Sequence, residues 1–155
     1  MLRKLPVFLL TAALLTGATA GQAFAAGSGV QTAVNEKIKV TLNGKPLALP
    51  QDPVSYNGIT YVNASAIALA LGGTAAWDTA TKSVLIAKGN KLAIRMFQDN
   101  PVAYKNGKLV KVPGVARPTT GAVLVPLVFL VQELGGKIVL DTKTKTYNIT
   151  IKSDL

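Results

Sequence analysis

Gly58 to Ile86 reads GITYVNASAIALALGGTAAWDTATKSVLI, and Gly121 to Ile149, 63 positions on, reads GAVLVPLVFLVQELGGKIVLDTKTKTYNI. The two stretches align over 29 positions without a gap, and ten pairs are identical, among them Val62/Val125, Leu71/Leu134, Gly72/Gly135, Gly73/Gly136, Asp78/Asp141 and Lys82/Lys145. The matches fall at glycines and turn residues, where backbone geometry is least forgiving, so the pattern predicts one supersecondary unit used twice. Ile59 to Val62 and Ala122 to Val125 follow a turn glycine and read as strands. A helix follows each. In the first copy Asn63 is a natural N-cap, and Ala64, Ile67, Ala68 and Leu71 recur at i, i+3, i+4, i+7. In the second, Pro126 suits the first helical position, and Leu127, Leu130, Val131 and Leu134 repeat the stripe. Gly72 and Gly135 stand where a left-handed C-cap is wanted. A hairpin closes each copy, turning at Asp78 and Asp141, whose carboxylates are expected to fold back onto turn amides.

Working outward, Ile38 to Leu42 alternates and Asn43-Gly44 is a strong hairpin signal leading into Pro46 to Leu49. Lys91 to Phe97 reads as a strand, and Asn106-Gly107 turns Val102–Lys105 back onto Lys108–Val112. Residues 113–120, PGVARPTT, read as a loop without a counterpart in the first unit. The expected fold class is α+β: two tandem repeats, 37–88 and 89–151, each of antiparallel β-strands packed on one short α-helix. Together they form one domain over 37–151, preceded by a flexible leader at 26–36.

Met1 to Ala25 reads differently. Arg3 and Lys4 precede an apolar run from Leu5 to Leu15, and Ala23-Phe24-Ala25 is an A-x-A cleavage pattern, the layout of a signal peptide cut near Ala25. The run is about half the ~20 residues a spanning helix needs, and no other long apolar stretch follows, so no transmembrane anchor is expected. The predicted location is extracellular or cell-wall associated. The chain of 155 residues has 17 Lys and Arg against 7 Asp and Glu, a net charge of +10, with no histidine and no cysteine. Those zeros remove thiolate and imidazole ligands and nucleophile–base pairs built on them, so no cofactor and no metal site are expected.

The words Tyr61-Val62-Asn63, Leu71-Gly72-Gly73, Trp77-Asp78 and Val125-Pro126-Leu127 resemble the N-terminal stalk domain of copper amine oxidases, over about residues 37–151. The resemblance implies an exported bacterial module of antiparallel sheet wrapped on a helix, often joined to wall-binding or catalytic partners. Oxidase chemistry in that family's namesakes lives in a separate domain with three histidines and a tyrosine-derived quinone, which this chain lacks. The resemblance therefore implies fold and compartment, and leaves the biochemical role open.

Among the acids Glu36, Asp52, Asp78, Asp99, Glu133, Asp141 and Asp154, Asp52 and Asp99 are the candidate glycosidase pair, but nothing in the sequence brings them together. Ser65 and Ser83 have no supporting nucleophile motif, and helix-start and turn roles fit them better. Positive charge carries more information. Lys105, Lys108, Lys111 and Arg117 cluster around one hairpin and loop, and Lys143 and Lys145 lie on the last hairpin. They form a candidate surface for an anionic wall polymer, against the simpler reading of a solvated, solubilising face. Nucleic acid is not an expected partner. Tyr56 and Tyr104, beside Asn-Gly turns, are candidate carbohydrate contacts, whereas Tyr61 and Trp77, which align with Leu124 and Leu140, are expected in the core. Val128 and Phe129 stand where the first copy has Ser65 and Ala66, and are candidates for contact between the repeats or with a partner protein. The expected function is a non-catalytic structural or binding module at the bacterial surface. The alternatives are an anionic-polymer or carbohydrate binder acting through the basic surface and, least favoured, a small hydrolase or inhibitor.

Overall fold

The computed structural model describes residues 37–152; the expected signal peptide and leader, 1–36, lie outside them. The described chain is α+β, with thirteen strands in three sheets and two seven-residue helices. In chain order, β1 (Lys39–Leu42), β2 (Lys45–Pro46), β3 (Val54–Tyr56) and β4 (Ile59–Asn63) lead into α1 (Ala64–Ala70). Then come β5 (Thr74–Asp78), β6 (Ser83–Lys88), β7 (Leu92–Phe97), β8 (Val102–Lys105) and β9 (Lys108–Lys111). β10 (Arg117–Thr119), β11 (Ala122–Pro126), α2 (Leu127–Glu133), β12 (Lys137–Asp141) and β13 (Thr146–Thr150) complete it.

A central sheet, ordered β10-β11-β4-β3, joins two hairpins through β4 and β11. Their antiparallel register sets Val62 opposite Val125, with Tyr61 opposite Pro126 and Asn63 opposite Leu124. The five-stranded sheet runs β5-β6-β7-β8-β9, and the third sheet runs β12-β13-β1-β2. β1 and β13 pair in parallel, a departure from the antiparallel pattern expected throughout. Parallel neighbours need a long connection, and here nearly the whole described chain lies between them. Strands also cross the expected unit boundary, since β7 pairs with β6 and β1 with β13.

Both helices end in the same way. Gly72 (φ +85°) and Gly135 (φ +88°) take left-handed backbone. The amides of Gly73 and Gly136 donate to Ala68 and Val131 carbonyls at 2.7 and 2.9 Å, and those of Gly72 and Gly135 donate to Leu69 and Gln132. This is the Schellman pattern, which satisfies carbonyls the helix leaves unpaired. Asn63 caps α1, its side-chain oxygen accepting from the Ala66 amide at 3.1 Å. Pro126 proves to be the N-cap of α2, not its first helical residue, because its ψ of 123° keeps it in the extended end of β11. Lys88 in β6 donates to the Leu134 carbonyl at the C-terminus of α2, at 2.8 Å.

The apolar stripes of both helices are buried as their spacing requires: Ile67, Ala68 and Leu71 from α1, and Leu127, Leu130, Val131 and Leu134 from α2. They pack with Val62 and Val125, with Val84, Ile86, Ile94 and Met96 of the five-stranded sheet, and with Val40 and Ile149 of the third. Two local expectations are corrected. The strand after Asn43-Gly44 is only Lys45–Pro46, and Leu47–Leu49, expected to extend it, lie outside any strand although the Leu47 amide still donates to the Val40 carbonyl at 2.9 Å. Arg117–Thr119, expected as loop, is an edge strand paired with β11, where Pro118 is tolerated.

Candidate functional site

The candidate residues distribute over all three sheets. In β8 and β9 the pairs Ala103↔Val110 and Lys105↔Lys108 put Lys105 and Lys108 on the core-facing side of the strands. Lys105 there meets Glu133 of α2, Nζ to Oε2 at 2.5 Å. Lys111 pairs with Val102 and belongs to the opposite, outer face. The first lysine cluster is therefore split between two faces, because residues three apart on a strand point in opposite directions. Lys143 and Lys145 sit in the β12–β13 turn, exposed. There the Asp141 carboxylate accepts from the Lys143 and Thr144 amides at 2.9 and 3.3 Å. All basic residues except Arg3 and Lys4 belong to the described chain, which keeps five acids, Asp52, Asp78, Asp99, Glu133 and Asp141. Three of those acids are paired, Asp52 with Lys37, Asp78 with Arg95 and Glu133 with Lys105. Lys108, Lys111 and Lys143 make no ion pair among the described residues.

Tyr104 lies on the outer face of the five-stranded sheet, 44% exposed. The registers Leu85↔Arg95, Arg95↔Tyr104 and Tyr104↔Leu109 align those four side chains in one row across it. Phe97 meets the Tyr104 ring edge-on at 6.0 Å between centroids. Tyr56 belongs to a different sheet. It is 41% exposed and packs edge-on against Tyr61, with centroids 5.6 Å apart. The Arg117 guanidinium lies 4.5 Å from the Tyr56 ring centroid and 5.3 Å from that of Tyr61. Tyr61 is buried as expected, and so is its match Leu124, whereas Leu140, the match of Trp77, is 43% exposed on the edge strand β12. Trp77 itself is half-buried against the core. Phe129 is half-buried against the core, and Val128 faces outward.

One polar network had no signal in the sequence. Arg95 Nη1 donates to Ser83 Oγ at 2.7 Å, Thr81 Oγ1 at 3.0 Å and Asp78 Oδ2 at 3.3 Å. The other Asp78 oxygen accepts from the Ala80 and Thr81 amides, as the turn pattern predicts. Hydrogen bonds from Thr81, side chain first and then backbone, hold the Asp78 carboxyl below its ordinary value, with smaller help from the Ala80 amide and Arg95. A carboxyl depressed in the fold favours the folded state above its unfolded value and loses that contribution as pH falls through the folded value. Asp78→Asn should therefore be less stable than the parent chain at neutral pH, with the gap narrowing as the pH drops below about 4. Thermal unfolding of both proteins between pH 3 and 7 measures this. A gap that stays constant over that range would remove the carboxylate from the account.

Asp52 lies in the β2–β3 connection, 3.2 Å from Lys37, and Asp99 in the β7–β8 turn. Ser83 is buried on Arg95, and Ser65 Oγ donates to the Ala75 carbonyl at 3.3 Å. Neither serine stands beside a base. A half-open cavity of about 390 Å³ lies along β1 and β2, lined by Lys37, Lys39, Val40, Leu47, Leu49 and Asp52.

A family model for the copper amine oxidase N-terminal domain matches residues 41–149. The chain belongs to that family. No curated protein and no solved structure matches it. The copper amine oxidase N-terminal domain is a non-catalytic, stalk-like domain, in keeping with the scattered acids and serines described above. Its residues do not fit a copper centre either. Copper(II) favours imidazole and other nitrogen donors, and this chain has no histidine and no cysteine. Among the described residues no three acids cluster to hold a metal. No helix among them is long and apolar enough to cross a membrane.

Proposed function

We propose that this copper amine oxidase N-terminal domain is an exported, non-catalytic module that binds an anionic polymer of the bacterial envelope. The observation that carries the reading is the charge balance of the described surface. Three of its five acids are taken up by ion pairs, Asp141 is engaged by turn amides, and Lys108, Lys111 and Lys143 have no carboxylate partner among the described residues. Such a surplus raises the local concentration of polyanions. The leader pattern ending at Ala25 supports export, and the family supports a role without a reaction centre.

The body itself reads as a duplication. Residues 63 apart, Val62 and Val125, meet at the middle of the β4–β11 pair, and α1 and α2 begin 63 residues apart. Two copies of a unit that each leave one apolar face uncovered can bury both faces against each other.

Retention on purified cell wall tests the binding role. Retention should be strong at about 0.1 M salt and largely lost by about 1 M, as the screening length falls from ~10 to ~3 Å. No retention at low salt, or retention indifferent to salt, would count against a charge-driven binder. A second reading has its own observation: the exposed Tyr104 beside Leu109, backed edge-on by Phe97, is a surface on which a sugar ring can stack. Retention that survives 1 M salt and is lost in Tyr104→Ala would favour it.

A further inference from the structure

We infer that Arg117, held on the rings of Tyr56 and Tyr61, is a directional receptor for an oxyanion, phosphate or carboxylate, carried by the bound polymer. This rests on the reading of the chain as a polyanion binder, and narrows it from a diffuse field of lysines to one site. Four observations support it.

First, the guanidinium is positioned before any ligand arrives. It lies over two aromatic rings at 4.5 and 5.3 Å, and Tyr61 is only 2% exposed. The preceding loop is tied down as well. The Val112 amide donates to Pro101, and that of Ala116 to Phe97. Gly114 lies so close to the Tyr61 hydroxyl that a β-carbon there would overlap it.

Second, no acceptor among the described residues occupies the guanidinium's N–H groups. Arg117 makes no ion pair or hydrogen bond through its side chain among the described residues, in contrast to Arg95, which engages Asp78, Thr81 and Ser83. Its Nε is buried without a partner. The terminal nitrogens remain to meet a ligand, and their paired N–H groups match the spacing of two oxyanion oxygens.

Third, packing does not call for a charge here. On the neighbouring hairpin Val54, 63 residues earlier, occupies the matching edge-strand place opposite Tyr61. A valine suffices to cover the sheet at that point. A guanidinium there adds directed N–H groups, which an apolar cover lacks.

Fourth, the surroundings do not compete. Among the described residues Arg117 has no carboxylate partner, whereas Lys105, another basic candidate, is neutralised by Glu133.

The test measures binding of the purified chain to poly(glycerol phosphate) and, separately, to polygalacturonate, a carboxylate polymer. Arg117→Lys keeps the charge and removes the planar fork, and Arg117→Gln removes both. Each should weaken binding to one or both polymers about tenfold, while Lys108→Gln and Lys111→Gln each change it less than about threefold. The polymer whose binding falls identifies the oxyanion. Tyr56→Leu, at a half-exposed site, removes the nearer of the two stacked rings while keeping the guanidinium and should weaken binding in the same direction, so the test survives if an Arg117 variant fails to fold. Parental affinity in Arg117→Lys, or in both Tyr56→Leu and Arg117→Gln, would overturn the directional site and leave the lysine surface as the carrier. If the parent chain binds neither polymer, the broader binding role falls too.

Discussion

Leu130→Ala is expected to lower the unfolding free energy by about 3–4 kcal/mol, the larger of two effects that bear on the fold. Leu130 is fully buried in α2, among the side chains that fill the space between the helices and sheets. Removing its three terminal carbons forfeits the transfer free energy of those carbons and leaves a cavity that a surrounding framework of strands cannot close. α2 contacts β4, β11, β12 and α1, so the loss reaches both expected halves at once. Denaturant unfolding should accordingly remain a single transition with a lower midpoint and an unchanged slope. A loss below about 1 kcal/mol would mean that the site can collapse, against the packing described. Two separate transitions would mean that the halves do not share one core.

Gly73→Ala should cost about 3 kcal/mol, near the upper end for a single added carbon. A β-carbon at Gly73 would lie 2.6 Å from the Ala87 carbonyl oxygen of β6 and 3.5 Å from that of Ala68. The nearest atom is backbone inside a paired strand, so the strand must shift to admit it. The Gly73 amide also donates the 2.7 Å bond that closes the end of α1, and any shift stretches it. Gly136, its partner in the sequence match, offers a control. There the nearest atom is a side-chain carbon, Val131 Cγ1 at 2.8 Å, slightly farther off than the Gly73 contact and not part of a paired backbone, so Gly136→Ala should cost about 1–2 kcal/mol. Thermal or denaturant midpoints of the two variants make the comparison. Equal costs, or a smaller loss at Gly73, would show that the α1–β6 junction is looser than its contacts indicate.

The helices and turns were legible in the sequence because their causes are local. Apolar spacing marked α1 and α2, glycine marked their ends, and Asn-Gly pairs at 43–44, 57–58 and 106–107 adopt the left-handed angles a two-residue hairpin needs. Asp78 and Asp141 bind amides two and three residues onward, a geometry contained in their own turns. The corrections within single elements fall at Pro46, Pro118 and Pro126, where proline is compatible with both extended and turn backbone and neighbouring strands decide.

The candidate site was less legible. A sequence places Lys105, Lys108, Lys111 and Arg117 in one neighbourhood, but strand alternation sends Lys108 and Lys111 to opposite faces. Arg117 joins Tyr56 and Tyr61, of a hairpin distant in sequence and adjacent in the sheet, instead. Arg95 gave no hint of its contacts with Asp78, Thr81 and Ser83, since the β6–β7 pairing that brings them together is not encoded in any short motif.

The amino-acid sequence alone determined the family resemblance, the two helices with their glycine ends, the hairpin turns, the excess of positive charge and the want of histidine and cysteine. Each is a matter of composition or of residues a few positions apart. Only the tertiary structure decided that β4 lies against β11, that β1 runs parallel to β13, and that Arg117 is stacked while Lys105 is neutralised. Those outcomes depend on which apolar faces bury one another across tens of residues, and burial of such faces is non-directional until a whole chain closes on one core.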